Sequence, residues 1–263
     1  MTMASTFRDL HRGPMFVLPN PWDIGSARYL QGRGFLAIAT TSSGLAAALG
    51  LRDQEVTRDQ LLTHVEAITG SVSIPLNVDS ERCFADDPTG VANTVGLLAA
   101  AGAAGCSIED YDPATGQIDG IDKATERVAA AAAESKRHGL VLTARAENHL
   151  YGVTDLDDTI GRLSAYRDAG AEVVYAPGLA TIDDIKRVVD EVGVPVNVLA
   201  TRATPTVSEL DAVGVSRVST GGALAWAAYG ALKRAVDELT ATGTSTYIAD
   251  GLAGSDRDPF FGR

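Results

Sequence analysis

Eight times along the chain a short apolar run ends in a polar residue or glycine and gives way to an Ala/Leu-rich stretch of helical character. The runs lie at 16–18, 36–40, 74–78, 106–108, 141–144, 173–175, 196–199 and 217–219. None shows the period-two alternation of a half-exposed strand, so the pattern predicts a parallel sheet buried on both faces. The helical stretches lie at 23–33, 56–70, 89–102, 122–138, 155–169, 181–192, 206–213 and 223–241. Asp155 opens one of them with a carboxylate-rich first turn, and Thr206 stands three residues before Glu209 in a capping-box pattern. Gly102, Gly139, Gly170 and Gly193 sit where helices should stop. Eight strand–helix units in 263 residues predict a single (β/α)8 TIM-type barrel. The alternative is a doubly wound open sheet, but no GxGxxG follows the first strand. No linker divides the chain, so one domain is expected over 1–263. Its polar, Gly-rich tail from about 242 is expected to be irregular or packed on a partner subunit.

Charge narrows the functions. Lys and Arg number 22 against 34 Asp and Glu, a net charge of −12. Such a surface repels nucleic-acid backbones and anionic membranes, so neither is an expected partner. An anionic substrate then needs a local cation, either an arginine or a bound metal. The 2 cysteines form neither a disulfide framework nor a zinc site. The N-terminus lacks the apolar core of a signal peptide, and no run approaches the roughly 20 apolar residues of a membrane span. A cytoplasmic location is expected.

In a barrel the chemistry lies at the C-terminal strand ends. Those positions carry Asn20, Thr40–Ser43, Asp79 and Glu81, Glu109 and Asp110, Arg145 and Glu147, Ala176, Asn197 and Thr220. Asp79, Glu81 and Glu109 form a hard-oxygen cluster whose mutual repulsion a divalent cation relieves, and oxygen ligands suit Mg2+ or Mn2+. Magnesium usually keeps several waters, so some of these carboxylates are expected to act through water. Acidic residues at strand ends also serve as helix caps. Arg145, ending a buried strand, needs a carboxylate partner, either Glu147 or a substrate. His149 lies just past the fifth strand as an acid, a base or a surface side chain. His11, His64 and His138 are expected to be solvated.

Asn20-Pro21-Trp22-Asp23, then Ser43-Gly44-Leu45 running on to Asp53, resemble the isocitrate lyase and phosphoenolpyruvate mutase superfamily. So do PLNVDSE at 75–81, AGAAGCSIED at 102–110 and TARAE at 143–147. The resemblance covers residues 14–235. It implies a barrel whose last helix is often swapped between subunits, in homodimers or homotetramers. It also implies a Mg2+-bound 2-oxo acid or carboxylate whose enolate is stabilised while a C–C or P–C bond breaks or forms. Ser43, Gly44 and Leu45 then match a loop whose backbone N–H groups hold a substrate carboxylate or phosphonate. Asp53 matches an acidic residue of a gating segment near the metal. Asp79, Glu81 and Glu109 match the metal-site carboxylates, with Glu81 standing where aspartate is usual. Arg145 matches the substrate-binding arginine, and Asn197 is expected to join it.

The departures concern the reaction. The Lys-Lys/Arg-Cys-Gly-His loop of the lyases and the Lys and Asn-Ser pair of the phosphonate enzymes are both absent from 111–119. Gly-Tyr-Gly after the second acid is replaced by Arg82-Cys83-Phe84, and the histidine near the end of strand six by Ala176. Cys106 falls inside a strand run and is expected in the core. The 111–122 segment, with Gly116 and Gly120, suits a mobile lid. Tyr111 is its expected acid or base, and the alternative is that it merely packs the lid on the rim. Catalysis is thus assigned to Arg145, Tyr111 and Asp53. The expected activity is Mg2+-dependent cleavage or decarboxylation of a small 2-oxo or 2-hydroxy acid. P–C bond chemistry and non-catalytic carboxylate binding are the alternatives.

Overall fold

The computed structural model describes residues 2–261. Eight parallel strands form the barrel: β1 (Phe16–Leu18), β2 (Ile38–Ala39), β3 (Leu76–Asp79), β4 (Gly105–Glu109), β7 (Val141–Arg145), β8 (Val173–Tyr175), β9 (Val196–Leu199) and β10 (Arg217–Ser219). Their order, β1-β10-β9-β8-β7-β4-β3-β2, leaves one seam between β1 and β2. There the Ala39 N–H donates to Pro19 O at 3.1 Å. Asn20 spans the same seam. Its amide donates to Thr40 O at 2.7 Å, while its Oδ1 accepts from the Thr220 and Gly221 N–H groups, both at 2.9 Å. This strand-end residue lines the mouth as expected and also closes the barrel.

The outer layer comprises α2 (Ile24–Gly32), α4 (Arg58–Thr69), α5 (Pro88–Ala100), α6 (Ile121–His138), α7 (Leu156–Asp168), α8 (Ile182–Val192), α9 (Val207–Ala212) and α10 (Ala223–Thr242). The capping signals work as read. Asp155 accepts from the Asp157 and Asp158 N–H groups, and Thr206 forms a capping box with Glu209. Gly139 and Gly193 end α6 and α8 in the left-handed conformation that glycine adopts at low cost. Among the described residues no helix is long and apolar enough to cross a membrane.

Three features depart from expectation. Helix α1 (Met3–Leu10) seals the N-terminal end of the barrel. Its Phe7 is fully buried edge-on to Phe16, and Arg8 grips Glu172 and the carbonyls of Gly139 and Leu140. Residues read as a loop form α3 (Ser42–Leu49). The tail expected to be irregular contains a 3-10 turn at Thr246–Asp250 and helix α11 (Gly254–Phe261), whose Phe260 packs edge-on against Tyr29 of α2. Helix α10 exposes Trp226, Leu232, Val236 and Leu239.

Candidate active site

Register sets out the site. Glu109 on β4 pairs across the sheet with Arg145 on β7, and Arg145 with Tyr175 on β8. The Arg145 guanidinium extends into a ring of carboxylates. Its Nη1 lies 2.8 Å from Asp79 Oδ1 and 3.2 Å from Glu109 Oε2, and its Nε lies 2.7 Å from Glu147 Oε1. The Tyr175 ring lies under the guanidinium, 5.2 Å from centroid to carbon. Both readings of this arginine meet here. Glu147 is its partner, yet Nη2 has no partner among the described residues, and Arg145 lines the cavity.

One guanidinium faces Asp79, Glu81, Glu109 and Glu147, with Asp53 at the rim. Burial pushes the Glu81 carboxyl up to about 8, and Asp79 and Asp53 add repulsion. Burial likewise raises Glu147 to about 6 and Glu109 well above the carboxylate range, against the pull of Arg145 on both. The mouth therefore carries more acid than its own cation neutralises. Among the described residues no three metal-type side chains converge on one chelating point. Of the three expected metal ligands only Asp79 lines the cavity, beside Asp53, whereas Glu81 and Glu109 do not. Oxygen-only donors with excess negative charge fit a hydrated Mg2+ that keeps several waters between itself and most of them.

Helix α3 points its N-terminus at this ring. The Ser42 N–H donates to Asp79 Oδ2 at 3.1 Å, and the Ser43 N–H lies in the first turn, which has no intrahelical partner. Of the three expected anion-loop residues, only Ser43 lines the cavity. The N–H of Gly44 goes to Thr41 Oγ1 at 3.3 Å and that of Leu45 to Thr41 O at 3.0 Å. Gly44 is required by packing, because a Cβ there meets Thr41 Cγ2 at 2.6 Å and Trp22 Cβ at 2.9 Å. Asp53 lines the cavity beside Asp79, and its neighbour Gln54 donates to Glu109 Oε1 at 3.1 Å.

The cavity is about 240 Å3 and continues down into the barrel. Asn77, Ser107 and Thr143 stand two residues below Asp79, Glu109 and Arg145, and Arg217 and Asn197 line the same space. The expected substrate contact Asn197 lies at this depth. Its amide donates to Ser219 Oγ at 2.9 Å, and its Oδ1 accepts from Arg217 Nε at 2.8 Å. His11, expected in solvent, instead reaches this layer from below. Its Nε2 accepts from Arg217 Nη1 at 3.0 Å and its Nδ1 donates to Phe7 O at 2.9 Å, a tautomer assigned from these partners. Burial, aided by Arg217, pulls its pKa down to about 3. His64 is also half-buried and is pulled down by burial to about 4, whereas His138 is exposed and paired with Glu134.

A buried ionic scaffold holds the mouth. Asp110 accepts from Tyr166 Oη at 2.6 Å, the Glu147 N–H at 2.8 Å and Arg162 Nη1 at 3.1 Å, so it is a structural hub. The segment expected to be a mobile lid forms a hairpin, β5 (Tyr111–Asp112) with β6 (Gln117–Ile118). Arg82 clamps it at Asp112 (2.5 Å) and Asp119 (3.1 Å), and Arg127 also reaches Asp119 (3.1 Å). Opening it means breaking buried ion pairs. Tyr111 does not line the cavity. Its ring stacks on Tyr151 with centroids 3.7 Å apart and planes at 9°. His149 does not line it either. Cys106 lies in the core, its thiol raised by burial.

Sequence reasoning missed Arg82, Arg127 and Arg217. A signal was present for Arg217: like Arg145, it is a cation within an apolar strand run, and such a charge needs partners.

Residues 7–240 match the model of the phosphoenolpyruvate phosphomutase family. The crystal structure of a protein from Burkholderia cenocepacia J2315, presented as a lyase or mutase, is 46% identical, with a TM-score of 0.95 over 99% of this chain and 96% of that one. The 2-methylisocitrate lyase of Escherichia coli (strain K12) is 33% identical over 71% of this chain and 67% of its own. A phosphonopyruvate hydrolase solved with oxalate and Mg2+ is 25% identical, with a TM-score of 0.86 over 97% of this chain and 93% of that one. With the family model spanning nearly the whole barrel, the chain belongs to the phosphoenolpyruvate mutase/isocitrate lyase superfamily.

Proposed function

We propose that the protein is a Mg2+-dependent lyase that cleaves a C–C bond in, or decarboxylates, a small 2-oxo or 2-hydroxy carboxylic acid. The observation that carries this reading is the Arg145 guanidinium set among Asp79, Glu109 and Glu147 beside the N-terminus of α3, with Nη2 left for a ligand. Asp79, Glu81 and Glu109 would hold Mg2+, partly through water, and the ion when bound would supply Lewis-acid stabilisation of charge on the substrate's 2-oxygen. Arg145 meets the adjacent carboxylate through Nη2, and the Ser43 N–H adds a neutral donor. Glu147 fixes the Arg145 fork through Nε, so the substrate meets a preset geometry. Segment 111–119 has neither a cysteine nor the Lys and Asn-Ser set of P–C enzymes, which favours a reaction with little demand for a loop acid. The exposed apolar row on α10 supports a homo-oligomer in which this helix packs on a neighbouring subunit.

The test is a panel of oxaloacetate, isocitrate, methylisocitrate, dimethylmalate-type acids and phosphonopyruvate, each with and without Mg2+. Magnesium-dependent turnover of at least one carbon acid is expected. Turnover of the phosphonate alone replaces the reading with P–C chemistry. Binding of acids without turnover makes the barrel a carboxylate receptor.

A further inference from the structure

Arg217 is a buried cation without an acid. It is 2% exposed, and among the described residues no carboxylate lies within ion-pair distance. Its guanidinium donates only to neutral groups: Asn197 Oδ1 through Nε, His11 Nε2 at 3.0 Å through Nη1 and Thr143 Oγ1 at 3.0 Å through Nη2. Each terminal nitrogen carries two hydrogens, so two donors remain. The Phe7 ring backs the guanidinium from below at 5.9 Å, and α1 closes off water from that side. The surrounding layer is polar where barrel interiors usually carry branched apolar residues. Asn77, Ser107, Thr143, Asn197 and Ser219 line it, and Asn77 Oδ1 has no partner. An isolated buried charge is costly unless paired. Among the described residues no acid supplies the counter-charge, which falls to a ligand in the cavity that Arg217 shares with Arg145.

We infer that the cavity floor is a second carboxylate subsite, in which Arg217, held by Thr143 and Asn197, binds the far end of a dicarboxylate whose near end lies at Arg145. The inference rests on the reading of the mouth as a carboxylate site and extends it downward. Thr143 lies two residues below Arg145 on the same strand, a drop of about 7 Å. Three C–C bonds separate the carboxyl carbons of a four-carbon diacid by about 4 Å, and a charge-assisted contact of about 2.8 Å at each end lets it reach across at least that drop. A free small carboxylate offers the same chemistry, so the test separates tethered from free ligand.

The experiment is calorimetric titration of the Mg2+-loaded protein at fixed ionic strength with pyruvate, acetate, malonate, succinate and glutarate. Succinate should bind at least tenfold tighter than acetate. In Arg217→Met that preference should fall below threefold while the pyruvate affinity stays within twofold. Met fills similar volume without a charge, and replacing a buried charge by an apolar group of similar size is often neutral for folding. Thr143→Val, which removes only a hydroxyl, should give an intermediate loss and serves if the first variant does not fold. A second equivalent of acetate, bound by the wild type and lost in Arg217→Met, assigns the subsite to free carboxylates. Equal succinate and acetate affinities with one acetate equivalent, or a preference that survives in both variants, overturn the subsite and leave the mouth intact. Failure of every probe, pyruvate included, overturns both.

Discussion

Arg127 should be the side chain on which the geometry of the mouth depends most, although it touches no ligand. It is 1% exposed on α6. Its Nη1 donates to Asp119 Oδ2 at 3.1 Å and to Glu109 O at 3.3 Å, and its Nη2 donates to Ala85 O at 3.3 Å and to Arg82 O. The Arg82 and Ala85 carbonyls belong to a loop under strain. Glu81, Cys83 and Phe84 have φ of 47°, 62° and 53°, a left-handed region that costs a residue with a side chain about 1–2 kcal/mol. Arg127→Met removes the donors that hold this loop and strips one cation from buried Asp119. Arg82 and Lys123 still neutralise that carboxylate, so the change should fall near the lower end of the range for breaking a buried pair, about 3–4 kcal/mol. At about 2–4 °C per kcal/mol for a chain of this size, the thermal midpoint should drop by about 6–16 °C. Arg127→Lys keeps a charge near Asp119 but lacks the planar fork that reaches several carbonyls, so it should recover less than half of the loss. Circular-dichroism melts in chelator, where no ligand adds stability, give the measurement. At a temperature where the variant is folded, kcat/KM should still fall, because Glu81 and Glu109 flank the released loop. A midpoint within about 3 °C of wild type, or Lys equal to Arg, refutes the reasoning.

Chelator should abolish turnover and Mg2+ or Mn2+ restore it, and Asp79→Ala should raise the metal concentration needed without lowering the thermal midpoint by more than a few degrees; full activity in excess chelator removes the metal from the account. Arg145→Lys should lower kcat/KM by on the order of a hundredfold, the worth of a lost charged contact, and wild-type kinetics would leave Arg145 as a partner of Glu147 alone. His11 is about 3 in the fold against about 6.5 in the unfolded chain, so the unfolded state takes the proton first. Stability should therefore decline as pH falls below about 6.5 and stop declining on this account near 3, by on the order of a few kcal/mol. Urea titrations of His11→Gln should lack that limb, and an unchanged pH profile contradicts the assignment. Tyr111→Phe keeps the stack on Tyr151 and should leave kcat within about twofold; a large fall in kcat with KM steady restores the hydroxyl to proton transfer.

The sequence reveals what is local and hides what is long-range. Buried parallel strands announce themselves because each must be apolar until it reaches the mouth, and 16–18, 173–175, 196–199 and 217–219 coincide with β1, β8, β9 and β10. Helix starts announce themselves because the first N–H groups need a nearby side-chain acceptor, as at Asp155 and Thr206. Helix α3 escaped because its first turn was read for its N–H groups alone. Those groups are where that reading put them, but the helix consumes two of the three. The arginines escaped for a different reason. Arg82 meets Asp119 across 37 positions, Arg127 meets Arg82 across 45 and Arg217 meets Thr143 across 74, so no short window of sequence contains both ends of any of the three. The expectation of a mobile lid took no account of these long-range ties. Gly116 and Gly120 report only that the backbone of 111–122 can bend, whereas its freedom is decided by Arg82 and Arg127, which lie outside it. The same logic separates Arg145 from Arg217. Both are cations in apolar strands, and local sequence supplies Arg145 with Glu147 two residues on. Arg217 has no acid nearer in sequence than Asp211, and the fold brings it only hydroxyl, amide and imidazole groups, so its charge is left for whatever enters the barrel.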